Sequence, residues 1–566
     1  MTPPVPPTGA SAGPGATARR TAALGLLRRH GVFAAVLLAG GVLRLFAVLG
    51  FRPAFWFNDS YEYLGVALRP EAYPIRPDGY SWFLRLLQPL HSFAAVVVVQ
   101  HLLGIAVAVA LYLLLVRSGL PGWLAAVAML PQLLSVRQVQ LEHLVMSDTL
   151  FTALLVGGVV ALGWRPARPS WWCAAGAGLA LSAATLVRSV GLPLLALAGV
   201  YLLVRRAGWR AVLAFGLVAA VPLAGYAAWY HGQHGRYELT NSDGVFLYSR
   251  TMTFADCARI APPPDLAQLC DQTPLARRPA PSNYIWHPSP LDRLAGPLPP
   301  GATPQDRFVP ARNDPARRFA LLAVRRQPLG YARAVLRDVA RSFSWAPANY
   351  PGPQVTGAYR FSTRPLIQPR AAVFVPGGDA LHDTTAYERG PARTRVIQPY
   401  AGPVISYQRV SWLPGPVLGA LLVVGLVGVL AFPRRDRRRW QILLLWSMAA
   451  GLLVLPPMTA QFDQRYVLPA VPFACAAAAL AAHVLLAGRK LAAANPEPVT
   501  VPAAGPGGEP AGDLDGDLDG EAAPEPGTGR ASGPGGEPGA EPGQEPADEP
   551  ARRVDIQSTP GRSGAG

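Results

Sequence analysis

The chain has 566 residues, of which 51% are hydrophobic and only 15% charged, and its repeated apolar runs exceed anything one soluble core needs. This excludes an ordinary soluble enzyme and predicts an all-α polytopic membrane protein. The net charge is +17, but residues 491–566 hold 14 Asp/Glu against 4 Arg, so the remainder carries +27. Those basic residues sit beside apolar runs, where they orient spans, and form no stripe interleaved with aromatics, so no nucleic-acid partner is expected.

Residues 1–30 read as a disordered basic N-terminus, ending in the arginines Arg19, Arg20, Arg28 and Arg29. The apolar run from Gly31 to Phe51 is too long for a signal peptide and has no small-residue cleavage site after it, so it is taken as the first span. Further runs follow at roughly 92–116, 120–136, 145–164, 171–187, 190–204, 210–230, 411–432, 441–458 and 466–488. That gives about ten transmembrane helices, within a range of 8–12, because 120–136 and 190–204 are short and read equally as tilted or re-entrant pieces. Seven spans fall in 31–230, with a first outer loop at 52–91, and three in 411–490.

Alternating the spans from an inner N-terminus puts Arg117, Arg165, Arg168, Arg205, Arg206, Arg210, the 434–439 cluster, Arg489 and Lys490 on one side. This is the positive-inside pattern. It predicts a multi-pass protein of the cell membrane with both termini cytoplasmic, and it turns 52–91, 137–144, 188–189, 231–410 and 459–465 outward. The segment 231–410 is read as an extracytoplasmic cap. Within it, 317–345 has helical periodicity interrupted at Pro328 and is expected to lie as an amphipathic pair on the membrane face. Cys257 and Cys270 fall in this outer segment and predict a disulfide, since it faces an oxidising compartment. Residues 491–566, acidic and rich in Pro and Gly, predict a disordered cytoplasmic tail.

The candidate chemistry lies in the outward segments. Asp59, in Phe57-Asn58-Asp59-Ser60-Tyr61-Glu62-Tyr63, directly follows the first span. Either Asp59 and Ser60 merely cap a helix, or Asp59 is a general base whose neighbours Asn58, Ser60 and Tyr63 orient a hydroxyl. Asp148 opens the fourth span. An acid there is costly unless it faces a wet cavity or a cation, although capping by Ser147 or Asp148 is the simpler alternative. Glu142 lies six residues earlier, about 240° away on a continuous helix, and shares a cavity with Asp148 only if the turn breaks. Arg188 either holds a phosphate with its planar fork of donors or snorkels at the interface. Arg44, two turns below the outer end of the first span, needs an acidic or phosphate partner, and Arg465 is a third cationic candidate. No metal-ligand spacing occurs, although Asp59 and Asp148 could together hold a divalent metal.

Five segments carry a likeness to a known family. Asn58-Asp59-Ser60 with Tyr63, Gly79-Tyr80 before Leu84, Ser147-Asp148-Thr149-Leu150-Phe151, and Thr185-Leu186-Val187-Arg188 followed late by Arg465-Tyr466 through Pro469 and Pro472 resemble motifs of the GT-C integral-membrane glycosyltransferases. The likeness is to members using polyprenyl-phosphate sugars, such as protein O-mannosyltransferases and lipid A aminoarabinose transferases. The pattern departs from the family in lacking Pro after Gly79-Tyr80 and after Arg188. The resemblance implies transfer of a sugar, such as mannose, from a polyprenyl-phosphate carrier to an extracytoplasmic hydroxyl on a glycan, protein or lipid, with inversion. Asp59 would be the base, Asp148 its helper, and Arg188 with Arg44 or Arg465 the phosphate-binding group. A transporter or flippase, or a non-catalytic scaffold for lipid-linked sugars, is the competing class. The interrupted midplane helices and paired repeats that a transporter needs are not evident.

Overall fold

The computed structural model describes the backbone of residues 14–494 and the side chains of 29–486, apart from 166–167, 347 and 434–435. The expected tail lies almost wholly outside the described residues. Among these the chain is helical, with one two-stranded antiparallel pair joining Phe51–Arg52 to Arg395–Val396. Five helices are long and apolar enough to cross a membrane: Arg29–Gly50, Phe93–Arg117, Trp209–His234, Arg437–Thr459 and Gln464–Leu486. Four shorter apolar helices accompany them, Asp148–Gly163, Trp171–Val187, Gly191–Val204 and Gly415–Ala431. The first helix already starts at Pro14, inside the stretch expected to lack order, where Ala and Arg favour helix.

The third expected span, 120–136, is not one helix. It is three short ones, Gly122–Ala128, Leu130–Leu134 and Val136–His143, broken at Met129 and at the extended Ser135. Pro131, in the first turn of the middle piece, cannot donate a backbone hydrogen bond to the preceding one. The three pieces nevertheless climb the first span together. A Cβ on Gly122 would meet the Arg29 carbonyl, Leu133 O accepts from Arg44 at 2.8 Å, and His143 Nε2 donates to Phe51 O at 2.7 Å. Twenty-two residues of the first helix, about 33 Å, are thus matched by a broken segment that covers the same height.

Broken helix inside a bilayer needs its freed carbonyls satisfied by protein. Arg44 does this: it donates to Gly40 O at 3.0 Å, Leu133 O at 2.8 Å and Gln132 O at 3.2 Å, and forms a two-bond pair with Glu142 at 2.8 Å. Gln100 Nε2 donates to Glu142 O and Leu144 O at 2.9 and 2.7 Å.

The two ends of the bundle differ. At one, Arg117 donates to Trp164 O, Gln441 donates to Gly163 O, and Tyr201 packs edge-on against Trp440. At the other, the cap encloses the first loop. Its core packs Phe319, Ala320 and Ala323 of helix Pro310–Arg326 with Val245 and Tyr248 of helix Asp243–Thr251, and takes in Val66, Tyr73 and Ile75 of the loop. The expected helix pair is present as Pro310–Arg326 and Pro328–Arg341, but the first member spends its apolar stripe on the cap's own core rather than on lipid. Cys257 and Cys270 are bonded, with Cα atoms 6.0 Å apart. The later cap residues clamp the loop, with Arg69 bonded twice to Asp383 at 2.7 Å and Trp56 Nε1 donating to Ala392 O at 3.0 Å.

Candidate active site

The helix Asn58–Leu68 begins without spending Asp59 on its own cap. Ser60 Oγ turns back to accept from the Phe57 N–H at 2.9 Å, so the capping reading belongs to Ser60 and the Asp59 carboxylate is left for other partners. Those partners are guanidiniums. Asp59 Oδ2 meets Arg465 Nη1 and Nη2 at 3.1 Å each and Arg76 Nη1 at 3.2 Å. With 15% of its side chain exposed, Asp59 is the acid of this group that solvent or substrate reaches.

Arg76 bridges from Asp59 to Glu62, whose Oε2 lies 3.0 Å away and also accepts from Tyr73 OH at 2.9 Å. Burial by itself would raise the Asp59 carboxyl, but Arg76 and Arg465 outweigh it and hold it down at about 2. Glu62 is more deeply enclosed, and there burial wins over Arg76, pushing it up to about 7.

Asp148 is 1% exposed and likewise spends no side-chain bond on capping its helix. Arg188, the residue that ends Trp171–Val187, pairs with its Oδ1 at 2.5 Å. Asp148 Oδ2 is buried without a hydrogen-bond partner. Tyr63 OH meets Ser147 Oγ at 2.8 Å and its ring lies 5.0 Å from the Arg76 guanidinium, tying the first loop to the start of the fourth span. The Tyr466 ring sits between the two halves, 5.1 Å from each of the Arg188 and Arg465 guanidiniums. Asp463 fixes Arg465 from behind by accepting its backbone N–H at 3.0 Å, while Tyr359 OH of the cap donates to Asp463 at 3.1 Å.

Of the residues singled out from sequence, Asp59, Tyr63, Asp148, Arg188 and Arg465 therefore meet in one cluster. Arg44 and Glu142 do not join it. They are 3% and 0% exposed and satisfy each other, with His101 Nδ1 also 2.9 Å from Glu142 Oε2. Sequence reasoning missed Arg76, Glu62, Asp463 and Tyr466. Arg76 carried a readable signal, since an arginine in an outward loop runs against the positive-inside bias.

Three guanidiniums from three distant segments thus gather around Asp59 and Asp148 in one partly exposed cluster. Such a group binds a phosphate oxyanion and can pass its charge partners from a carboxylate to a ligand. A divalent metal fits less well. Among the described residues no three His, Cys, Asp or Glu side chains come together as a metal would need, and Asp59 and Asp148 are each engaged by arginine.

No protein-family model matches the chain, and no curated protein matches its sequence. Among solved structures it is similar to the S. cerevisiae protein O-mannosyltransferase Pmt1-Pmt2 complex bound to the sugar donor, at 14% identity and TM-score 0.29, over 41% of this chain and 38% of that one. It is similar to the archaeal oligosaccharyltransferase AglB from Archaeoglobus fulgidus in complex with an inhibitory peptide and a dolichol-phosphate, at 13% identity and TM-score 0.35, over 82% and 52% of the two chains. A third likeness is to ArnT from Cupriavidus metallidurans bound to undecaprenyl phosphate, at 15% identity and TM-score 0.30, over 82% and 78%. The chain spans little more than a third of the first and about half of the second, and likenesses of this size carry no argument about its chemistry.

Proposed function

We propose that this multi-pass membrane protein is a glycosyltransferase that moves a sugar from a polyprenyl-phosphate carrier to a hydroxyl acceptor on the extracytoplasmic side. The observation that carries the reading is the convergence of Arg76, Arg188 and Arg465 on one cluster with Asp59 and Asp148. The outward orientation rests on the arginines at the opposite end of the bundle, which set both termini in the cytoplasm.

In the resting site Asp59, held at about 2, is a poor base. A carrier phosphate reaching this cluster competes for Arg76 and Arg465, and a carboxylate that loses two cations gains proton affinity. The acceptor hydroxyl then gives its proton to Asp59 while its oxygen bonds to the sugar's anomeric carbon. The bond from that carbon to the phosphate oxygen breaks, and the electron pair leaves on the phosphate, where the three guanidiniums offset the growing charge. One base opposite the leaving group inverts the anomeric centre without a covalent intermediate. Asp148 holds Arg188 in position for this step, and the buried Glu62 holds Arg76.

The test is Asp59→Asn, expressed at wild-type abundance in cells lacking the native chain, with envelope glycans read by mass spectrometry. General-base removal should cut transfer by about 10²–10⁴-fold. An unchanged glycan profile removes the enzyme reading and leaves the transporter or scaffold alternatives.

A further inference from the structure

A second place in the molecule is built for an anion and has none among the protein's own groups. Beside the short helix Gln464–Val467, a cavity of about 70 Å³ lies between the broken span, the end of helix Pro328–Arg341 and the first turn of Gly415–Ala431, and none of Asp59, Arg76, Arg188 and Arg465 lines it. That is several times the ~10–15 Å³ that holds one water, and suits a group of a few heavy atoms.

Its walls are largely apolar, with basic, amide, hydroxyl and indole side chains set among them. Arg137 reaches it and makes no hydrogen bond or ion pair with any described residue, while its charged neighbour is another cation, Arg360. Trp412 Nε1 and Gln464 Nε2 line the same cavity and are both buried without a partner. Arg341 completes it, sharing Asp338 with Arg250, so one carboxylate serves two guanidiniums. No acidic side chain is among the described residues lining the cavity. Buried donors left unpaired cost free energy, and two of them, Trp412 Nε1 and Gln464 Nε2, line one space together with Arg137, which marks a missing acceptor.

We infer that this cavity is a second anion site, for a phosphate group, separate from the reacting centre. The apolar floor formed by Leu418, Leu468 and Val471 leads into two membrane-spanning helices, and Trp345 at the rim is 69% exposed. A phosphate seated here would lie at headgroup height with an acyl or prenyl chain running down the floor. The inference stands whether or not the Asp59 cluster transfers sugars.

The experiment is equilibrium binding to the full-length, delipidated protein in neutral detergent, with dioleoyl phosphatidic acid, a polyprenyl phosphate and inorganic phosphate as three separate probes and diacylglycerol as the phosphate-free control. We expect binding of at least one phosphate probe, weakened tenfold or more by Arg137→Gln and several-fold by Trp412→Phe, and retained at this site in Arg188→Gln. The lipid and inorganic arms tell which source of phosphate the site takes. Trp412→Phe keeps an aromatic side chain while removing the indole's five-membered ring with its partnerless N–H, so it gives a second reading even where Arg137→Gln fails to fold. Wild-type phosphate binding in Trp412→Phe and in folded Arg137→Gln, or binding of diacylglycerol as tight as that of phosphatidic acid, overturns the inference.

Discussion

Arg44→Met separates a structural role for the Arg44–Glu142 pair from a role in phosphate binding. The two charges touch at 2.8 Å with 3% and 0% exposure, and at an effective dielectric of ~20 two charges about 4 Å apart attract by roughly 4 kcal/mol. Taking both ions out of water offsets most of that gain, so the intact pair is close to neutral, whereas removing one member leaves the other buried and uncompensated at about 3–5 kcal/mol. Arg44→Met also strips the donors from the Leu133 and Gln132 carbonyls at the break in the third span. At ~2–4 °C per kcal/mol, the apparent melting temperature in detergent, followed by tryptophan fluorescence, should fall by roughly 5–15 °C. Adding Glu142→Gln should return most of the loss, because no bare carboxylate then remains, and both variants should keep transfer activity while folded. An Arg44→Met protein that melts like wild type and yet loses donor binding would refute this assignment and return Arg44 to the phosphate site.

Gly104→Ala should mimic the loss, because a Cβ there would stand 2.0 Å from Glu142 Oε1; a melt equal to wild type would count against that packing. Arg76→Gln should lower kcat/KM for the sugar donor by about 10²–10³-fold, with Arg76→Lys recovering part, and should raise the Asp59 pKa from about 2; wild-type kinetics in Arg76→Gln would sink the three-guanidinium site. Glu62 gives a pH signature. Its folded pKa of about 7 lies above the ordinary 4.5, so its stabilising contribution is complete below pH 4.5 and is lost as pH rises through 7. Melting temperature should therefore fall less between pH 5 and pH 8 in Glu62→Gln than in wild type, and identical slopes would contradict the burial of that carboxyl. Cys257→Ser opens a 13-residue loop and should destabilise the cap by about 2–4 kcal/mol, seen as faster proteolysis within 231–410 without loss of the spans; equal cleavage rates would show the bond to be dispensable.

The sequence by itself determined the membrane class, the placement of nine of ten spans within a few residues, the helix pair around Pro328 and the pairing of Cys257 with Cys270. These follow from hydrophobic length, from where basic residues stop, and from two thiols in one outer segment, all of which are local or one-dimensional signals. The acids Asp59 and Asp148 were legible for a related reason, since an ionised group next to an apolar run is costly and demands a partner. Which partner was not legible. Arg76, Arg188 and Arg465 are separated by more than a hundred residues at each step, and only the packing of the first loop against the ends of the fourth, fifth and last spans brings them into one cluster, Arg76 and Arg465 on Asp59 and Arg188 on Asp148. The same holds for Arg44. From its position it called for an anion, and the tertiary structure supplied Glu142 because a proline-broken span had carbonyls that only a five-donor side chain could reach.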